Sequence, residues 1–365
     1  MRAVVFRDQR LAVEEWPRPA AGPGELLLRL RGCGLCGSDI LKIDQLNQHG
    51  GINQHGGPSP GPPSPPDVRA APAEPGRPSI PLVFGHELVG DVVEVGLGVG
   101  GFAAGDRVVA AHHVPCGACH YCRRGSASMC RAFKASNLDP GGFADYVRVP
   151  AENVRYATFR LPPSLGDEAA SFVEPLACCH RAVRRMRPER GDTCVVVGLG
   201  SIGGLFVQLL TRAGVTVIGV DRLPARNELA RRLGATIAGM PENVDFSARA
   251  LSGGRGVDHV VVTAGGATVL PWAADAVRDG GSVHYFAGGP GDALPLPLAT
   301  LYHRELTVSS TYSSSPADLA AAFDLLVSGQ IRVDELISHR LPLERLEEGV
   351  DLMRRHLALK VFVRP

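Results

Sequence analysis

The sequence predicts an α/β protein in two parts, a small all-β unit followed by a doubly wound parallel sheet. Three observations carry that expectation. Up to about residue 153, short β-type runs (3–6, 25–30, 88–95 and 107–111) are broken by Gly and Pro, the texture of a closed or partly closed all-β unit. From about 154 to 312, apolar runs (194–197, 215–220, 259–262, 282–286) alternate with helical patterns such as 202–213 and 226–233. Strands buried on both faces and joined by helices form parallel sheets. Finally, one glycine-rich turn stands directly between such a run and such a helix. The 365 residues are too many for one ordinary core and suit about two domains.

The elements follow in chain order. MRAVVFRDQRLAVEEWP alternates like a strand and lacks the unbroken apolar core of a signal peptide. No apolar run approaches the roughly 20 residues that span a bilayer. A net charge of +1 gives no footprint for nucleic acid or an anionic membrane. A cytoplasmic location is expected, where the nine cysteines stay reduced and clustered ones suit metal better than disulfides.

Residues 44–80 interrupt the first region with NQHGG twice and then a Pro-rich run. Proline removes backbone donors and favours extended geometry, so a surface loop without packed elements is expected. A sharper reading makes His49 and His55 a metal-binding or substrate-gating element.

Four cysteines then fall within fifteen residues: Cys116, Cys119, Cys122 and Cys130. Zinc takes four thiolates tetrahedrally, and a closed sulfur shell leaves no position for substrate, so its role is structural. An iron–sulfur cluster uses similar cysteines, but no other feature of one accompanies them. A second set consists of Cys36 in GLCGSD, His86 in GHE and Glu174 in FVEPL. A catalytic zinc needs about three protein ligands and an open position. Read singly, each of these residues suits a structural role as well as a ligand's, and spacing leaves both open.

The turn at 198–203 reads GLGSIG. Gly198 permits the tight turn, Gly200 lets backbone approach a pyrophosphate, and Gly203 allows close packing of helix on strand. Ser201 and Ile202 open the helix. Asp221, at the end of the next apolar run, suits the adenosine ribose hydroxyls and repels a 2′-phosphate, so NAD is favoured over NADP. Arg222 and Arg226 pull the other way, since either can meet a phosphate. Beyond 313 come helices at 316–326 and 343–354 and a last strand at 359–363.

Taken together, GLCGSD, GHE, the cysteine loop, VEPLA and GLGSIG resemble the zinc-dependent medium-chain dehydrogenases, of the alcohol, sorbitol and threonine dehydrogenase kind. The match covers the chain apart from 44–80. It implies a GroES-like β-barrel catalytic domain from 1–153 and 313–365, with a Rossmann NAD-binding domain between them at 154–312. Homodimers or homotetramers joined through the Rossmann sheet edge are implied too. By the same resemblance Cys36, His86 and Glu174 hold one catalytic zinc, and the four-cysteine loop holds one structural zinc. Glu87 matches a residue that exchanges onto the zinc, Ser38 the hydroxyl that takes the substrate proton, and His113 a histidine near the zinc. One departure is Leu41, where the usual proton relay ends in histidine; release from Ser38 then passes through a ribose hydroxyl, water or Lys42.

The implied activity is hydride transfer between a secondary alcohol (polyol, sugar or amino-alcohol, including aminocyclitols) and NAD. Rival readings are an NADPH-linked aldehyde or ketone reductase, or a non-catalytic metal- or nucleotide-binding relative. A zinc-independent reductase of the same fold would lack both metal sets.

Overall fold

The computed structural model describes residues 1–49, 82–287 and 293–365, with backbone alone at 48–49, 245–247 and 249–250. The chain divides into two units, one joining Met1–Glu174 to Ile337–Pro365 and the other running Pro175–Leu336. Both breaks lie further along the chain than the changes of texture near 153 and 312.

In unit one, the run that reads as a single N-terminal strand is a hairpin. β1 (Arg2–Arg7) and β2 (Arg10–Glu15) pair antiparallel, with Arg7 opposite Arg10. Asp8 and Gln9 between them take φ of 49° and 65°, a two-residue turn whose twist matches paired strands. β3 (Leu26–Gly34) leads into the helix Gly37–His49. That helix corrects the expectation that packed structure stops at residue 44. Ile40 and Ile43 are buried on one core face and Leu46 packs beside them, a helical spacing that carries the last turn forward. The rest of the proposed loop, His55 included, lies outside the described residues, as does the side chain of His49.

β4 (Leu82–Val83) pairs with β1. β5 (Glu87–Val95) follows, then β6 (Arg107–Ala110), β7 (Tyr146–Val149) and β8 (Thr158–Arg160). β3 lies antiparallel to β5 and β7, and β6 joins β5 to β8. Leu26, Leu28 and Leu30 of β3 and Leu88 and Val92 of β5 fill the core, at even spacings that keep them on one face of each strand apart from bulges.

Unit two is a parallel sheet. Its strands are β9 (Thr193–Val197), β10 (Thr216–Val220), β11 (Ile237–Gly239), β12 (Val257–Val262), β13 (Val277–Tyr285) and β14 (Thr307–Ser310). They lie in the order β11-β10-β9-β12-β13-β14, all parallel, so the winding reverses between β9 and β12. Every residue of β12 is buried, as a central strand with both faces covered requires. The Asp258 carboxylate accepts the Thr193 N–H at 2.7 Å, its hydroxyl at 2.9 Å and Arg278 Nε at 2.7 Å. Three neighbouring strands are thereby stapled at their first turns. β15 (His339–Pro342) and β16 (Val361–Arg364) belong to unit one again, where β16 runs antiparallel to β3.

No helix among the described residues is long and apolar enough to cross a membrane.

Helix Ser201–Arg212 leaves β9 through the glycine turn, and a Cβ at Gly203 would stand 1.9 Å from the Gly198 carbonyl oxygen. Backbone cannot yield there as a flexible side chain would. Gly203→Ala should therefore destabilise unit two by about 1–3 kcal/mol, seen as a lowered denaturant midpoint. An unmoved midpoint would show that the helix can shift freely off the strand.

Candidate active site and metal centres

Cys36 stands where β3 ends and the helix Gly37–His49 begins. Its backbone N–H donates to Asp39 Oδ2 at 3.2 Å, while Asp39 Oδ1 lies 3.3 Å from His86 Nδ1. Asp39 thus ties the Cys36 turn to the residue preceding β5. The chain reaches His86 through Gly85, at φ 95°, where a Cβ would come within 3.0 Å of Cys33 Sγ, Gly142 Cα and Phe143 N. With Nδ1 engaged by a carboxylate, Nε2 is the nitrogen left for a metal. Burial opposes charge on His86, but the Asp39 carboxylate outweighs it and raises the imidazole well above its usual pKa. Asp39 moves the opposite way, lowered by His86 against its own burial. Such a pocket stabilises a cation on the imidazole, and a metal can take the place of the proton.

Cys36, His86 and Glu87 offer ligand atoms that all lie within 4.8 Å of one another, and so do His86, His112 and Glu174. His86 belongs to both groups, but neither group holds Cys36, His86 and Glu174 together. Sulfur, imidazole nitrogen and carboxylate oxygen form a donor set suited to zinc. Glu87 has a competing partner. Lys360 Nζ donates to its two oxygens at 2.8 and 2.7 Å and to the Leu35 carbonyl at 3.3 Å. Burial alone would lower the Lys360 pKa, yet the Glu87 carboxylate outweighs it and raises it.

Ser38 is half-buried in the first turn of the helix, whereas Leu41 and Lys42 are exposed. His113 is engaged elsewhere, with Nδ1 on the Ser136 carbonyl at 2.5 Å and its ring on Phe133 at 4.9 Å. Burial lowers it to about 4. Its neighbour His112 is the one whose ring lies 4.5 Å from His86. Burial, then the His86 charge, holds His112 well below the ordinary imidazole value, in the neutral form that ligates metals. His112, Asp39 and Lys360 escaped the sequence reading. The histidine doublet and the acid three residues after Cys36 were visible signals; Lys360 had none.

The four cysteines converge, their sulfurs all within 4.8 Å of one another and Cys119 and Cys122 at 3.5 Å. Four thiolates about 2.3 Å from one tetrahedral zinc stand about 3.8 Å apart, so the loop fits the ion. Burial and the Cys119 and Cys130 thiols push Cys122 up to about 12. Burial also opposes ionisation of Cys130, but backbone N–H groups of Cys116 and Phe133 hold it at about 6. The thiols thus share protons unevenly, and a divalent cation would displace those protons.

In unit two, Gly198 takes φ 86° and nothing lies within 4 Å of a Cβ built at Gly200, the N-cap of the helix. Ser201 is buried and Ile202 half-buried behind it. Asp221 Oδ2 accepts the Leu199 N–H at 2.8 Å and Oδ1 the Leu223 N–H at 2.9 Å. Each oxygen keeps a lone pair for a hydroxyl donor. Arg226 stands 3.6 Å from the same carboxylate, while Arg222 is exposed.

Two family models match the chain: alcohol dehydrogenase GroES-like domain over residues 22–163 and zinc-binding dehydrogenase over 201–328. The erythritol/L-threitol dehydrogenase of Mycolicibacterium smegmatis is 31% identical, over 97% of this chain and 94% of that one. The sorbitol dehydrogenase of Halalkalibacterium halodurans is 28% identical, over 97% and 95%. Among solved structures, the alcohol dehydrogenase TADH from Thermus sp. ATN1 superposes with a TM-score of 0.79. It is 31% identical and the match covers 100% of this chain and 99% of that one.

Lys360→Met would strand the Glu87 carboxylate in the core of unit one. A loss of about 3–5 kcal/mol is expected, with most of it recovered in the Lys360→Met/Glu87→Gln pair, both read by denaturant unfolding. Equal losses in the single and double variants would contradict the pairing.

Proposed function

The chain belongs to the zinc-type medium-chain alcohol dehydrogenases, and on that premise we propose that it oxidises a secondary alcohol on a polyol, sugar or amino-alcohol scaffold with NAD. The observation that supports this reading is a pair of donor groups in unit one that share His86, one with Cys36 and one with Glu174; on this reading Cys36, His86 and Glu174 would hold the ion and Asp39 orients His86. A carboxylate in the third place, together with polyol-named relatives, supports the polyol scaffold. A zinc ion bound there supplies Lewis acidity toward an alcohol oxygen, and the nicotinamide takes up the hydride.

The chain's own residues divide the remaining work. Ser38, two residues past Cys36 and half-buried, takes the proton released from the substrate hydroxyl. Because Leu41 has no proton to exchange, that proton leaves for water or the nearby Lys42. Glu87 lies beside Cys36 and His86 with both oxygens held by Lys360. Asp221 offers its remaining lone pairs to the adenosine ribose and repels a 2′-phosphate. Its ion pair with Arg226 turns the arginine away from that phosphate role, which supports NAD over NADP. The cysteine loop would hold the second, structural zinc.

The test is a panel of polyols, amino alcohols and aminocyclitols incubated with NAD, read as NADH absorbance. Cys36→Ser should lower turnover roughly 10³-fold or more, since several kcal/mol of Lewis-acid stabilisation go with the ion, while NAD binding stays nearly intact. Retained turnover would remove Cys36 from the metal site. NAD should be preferred to NADP, and Asp221→Ser should narrow that preference at least about 10-fold, the weight of one lost repulsion or hydrogen bond to a charge. An unchanged ratio would move cofactor choice to other residues. Two zinc ions per chain with no turnover on any alcohol would favour a non-catalytic relative.

A further inference from the structure

Resting on the reading that Cys36, His86 and Glu174 hold a metal, we propose that His112 is a protein ligand of the same ion. The resting centre then carries two imidazoles, one thiolate and one carboxylate.

Four observations converge on this. A ring nitrogen of His112 shares the 4.8 Å group with His86 and Glu174. His112 Nδ1 is buried with no hydrogen-bond partner, an unfavourable arrangement unless something fills it. The adjacent His113 shows the contrast, since its Nδ1 already has the Ser136 carbonyl. The backbone under His112 is also fixed in place. The side-chain amide of buried Asn153 donates to the carbonyls of Ala111 at 2.8 Å and His112 at 3.0 Å. A ligand on a pre-positioned backbone binds without ordering cost.

The competition among carboxylates points the same way. Glu87 is the other candidate for a fourth place, but Lys360 occupies both its oxygens. His112 has no such rival. Four protein donors close a tetrahedral shell, whereas a catalytic site must open one position. His86 is braced through Nδ1 by Asp39, whereas His112 Nδ1 has no hydrogen-bond partner, so His112 would be the donor that yields the open position.

The experiment loads cobalt into the catalytic centre of the full chain, leaves zinc in the cysteine loop, and counts imidazoles on cobalt by X-ray absorption. Two imidazoles are expected in the resting wild type and one in His112→Phe, which keeps the ring volume. Chelator competition should show the catalytic ion held at least about 10–100-fold more weakly in His112→Phe, with the cysteine-loop zinc unaffected. One imidazole in the wild type overturns the assignment, as does unchanged affinity in His112→Phe. Should that variant fail to fold, the wild-type count decides alone. A wild type that binds metal only at the cysteine loop sinks this assignment together with the metal reading beneath it. Two bound ions with a single imidazole sink this one only.

Discussion

A buried ammonium organises the candidate centre. Lys360 Nζ reaches both oxygens of Glu87 and the carbonyl of Leu35, and those residues are the immediate neighbours of His86 and Cys36. One cation therefore helps set the distance between the segment after β3 and the start of β5, where Leu35 and Glu87 each adjoin a candidate ligand. The strand that directly follows Lys360, β16, is in register with the same site, Phe362 opposite Gly34 and Val363 opposite Cys33. Desolvating such a pair offsets most of its attraction, so its worth lies less in stability than in fixing one arrangement of three segments.

The two units position their functional groups by different means. In unit one the tools are polar side chains: Asp39 braces His86, Lys360 restrains Glu87, and Asn153 pins the backbone at His112. Unit two works with backbone. Gly198 and Gly203 bring helix and strand together more closely than a side chain permits, and Asp221 ties the turn to the following strand by accepting two N–H groups. That contrast suits the chemistries. A metal needs donors of particular kind at short range, whereas a pyrophosphate is met by N–H groups and open space.

Local patterns were legible in the sequence, and long-range pairings were not. The strand–helix alternation of unit two, the glycine turn and the cysteine loop each sit within a short window where period or spacing carries the information. The N-terminal hairpin escaped because its turn uses Asp8 and Gln9, with no glycine to mark the positive φ. The helix running on to His49 escaped because residues 44–49 are polar apart from Leu46, while three apolar residues, Ile40, Ile43 and Leu46, decide the packing. Lys360 lies 273 positions from its partner and its neighbourhood reads as an ordinary strand end. The doublet at 112–113 is the subtlest case. Two identical side chains alternate in direction just past β6, so one meets Ser136 and the other His86, and only the course of the chain says which.

The path of the chain through unit one has a consequence for biosynthesis. Unit two is one continuous stretch, so the ribosome has delivered all of it once Leu336 emerges. Unit one begins before unit two yet lacks β16 and Lys360 until all of unit two has been made. During translation β3 presents an unsatisfied edge and Glu87 has no cation, while more than half of the remaining chain is still to be made. The nascent polypeptide therefore completes the chain of its second unit before that of its first, and the candidate centre can close only after unit two has been made.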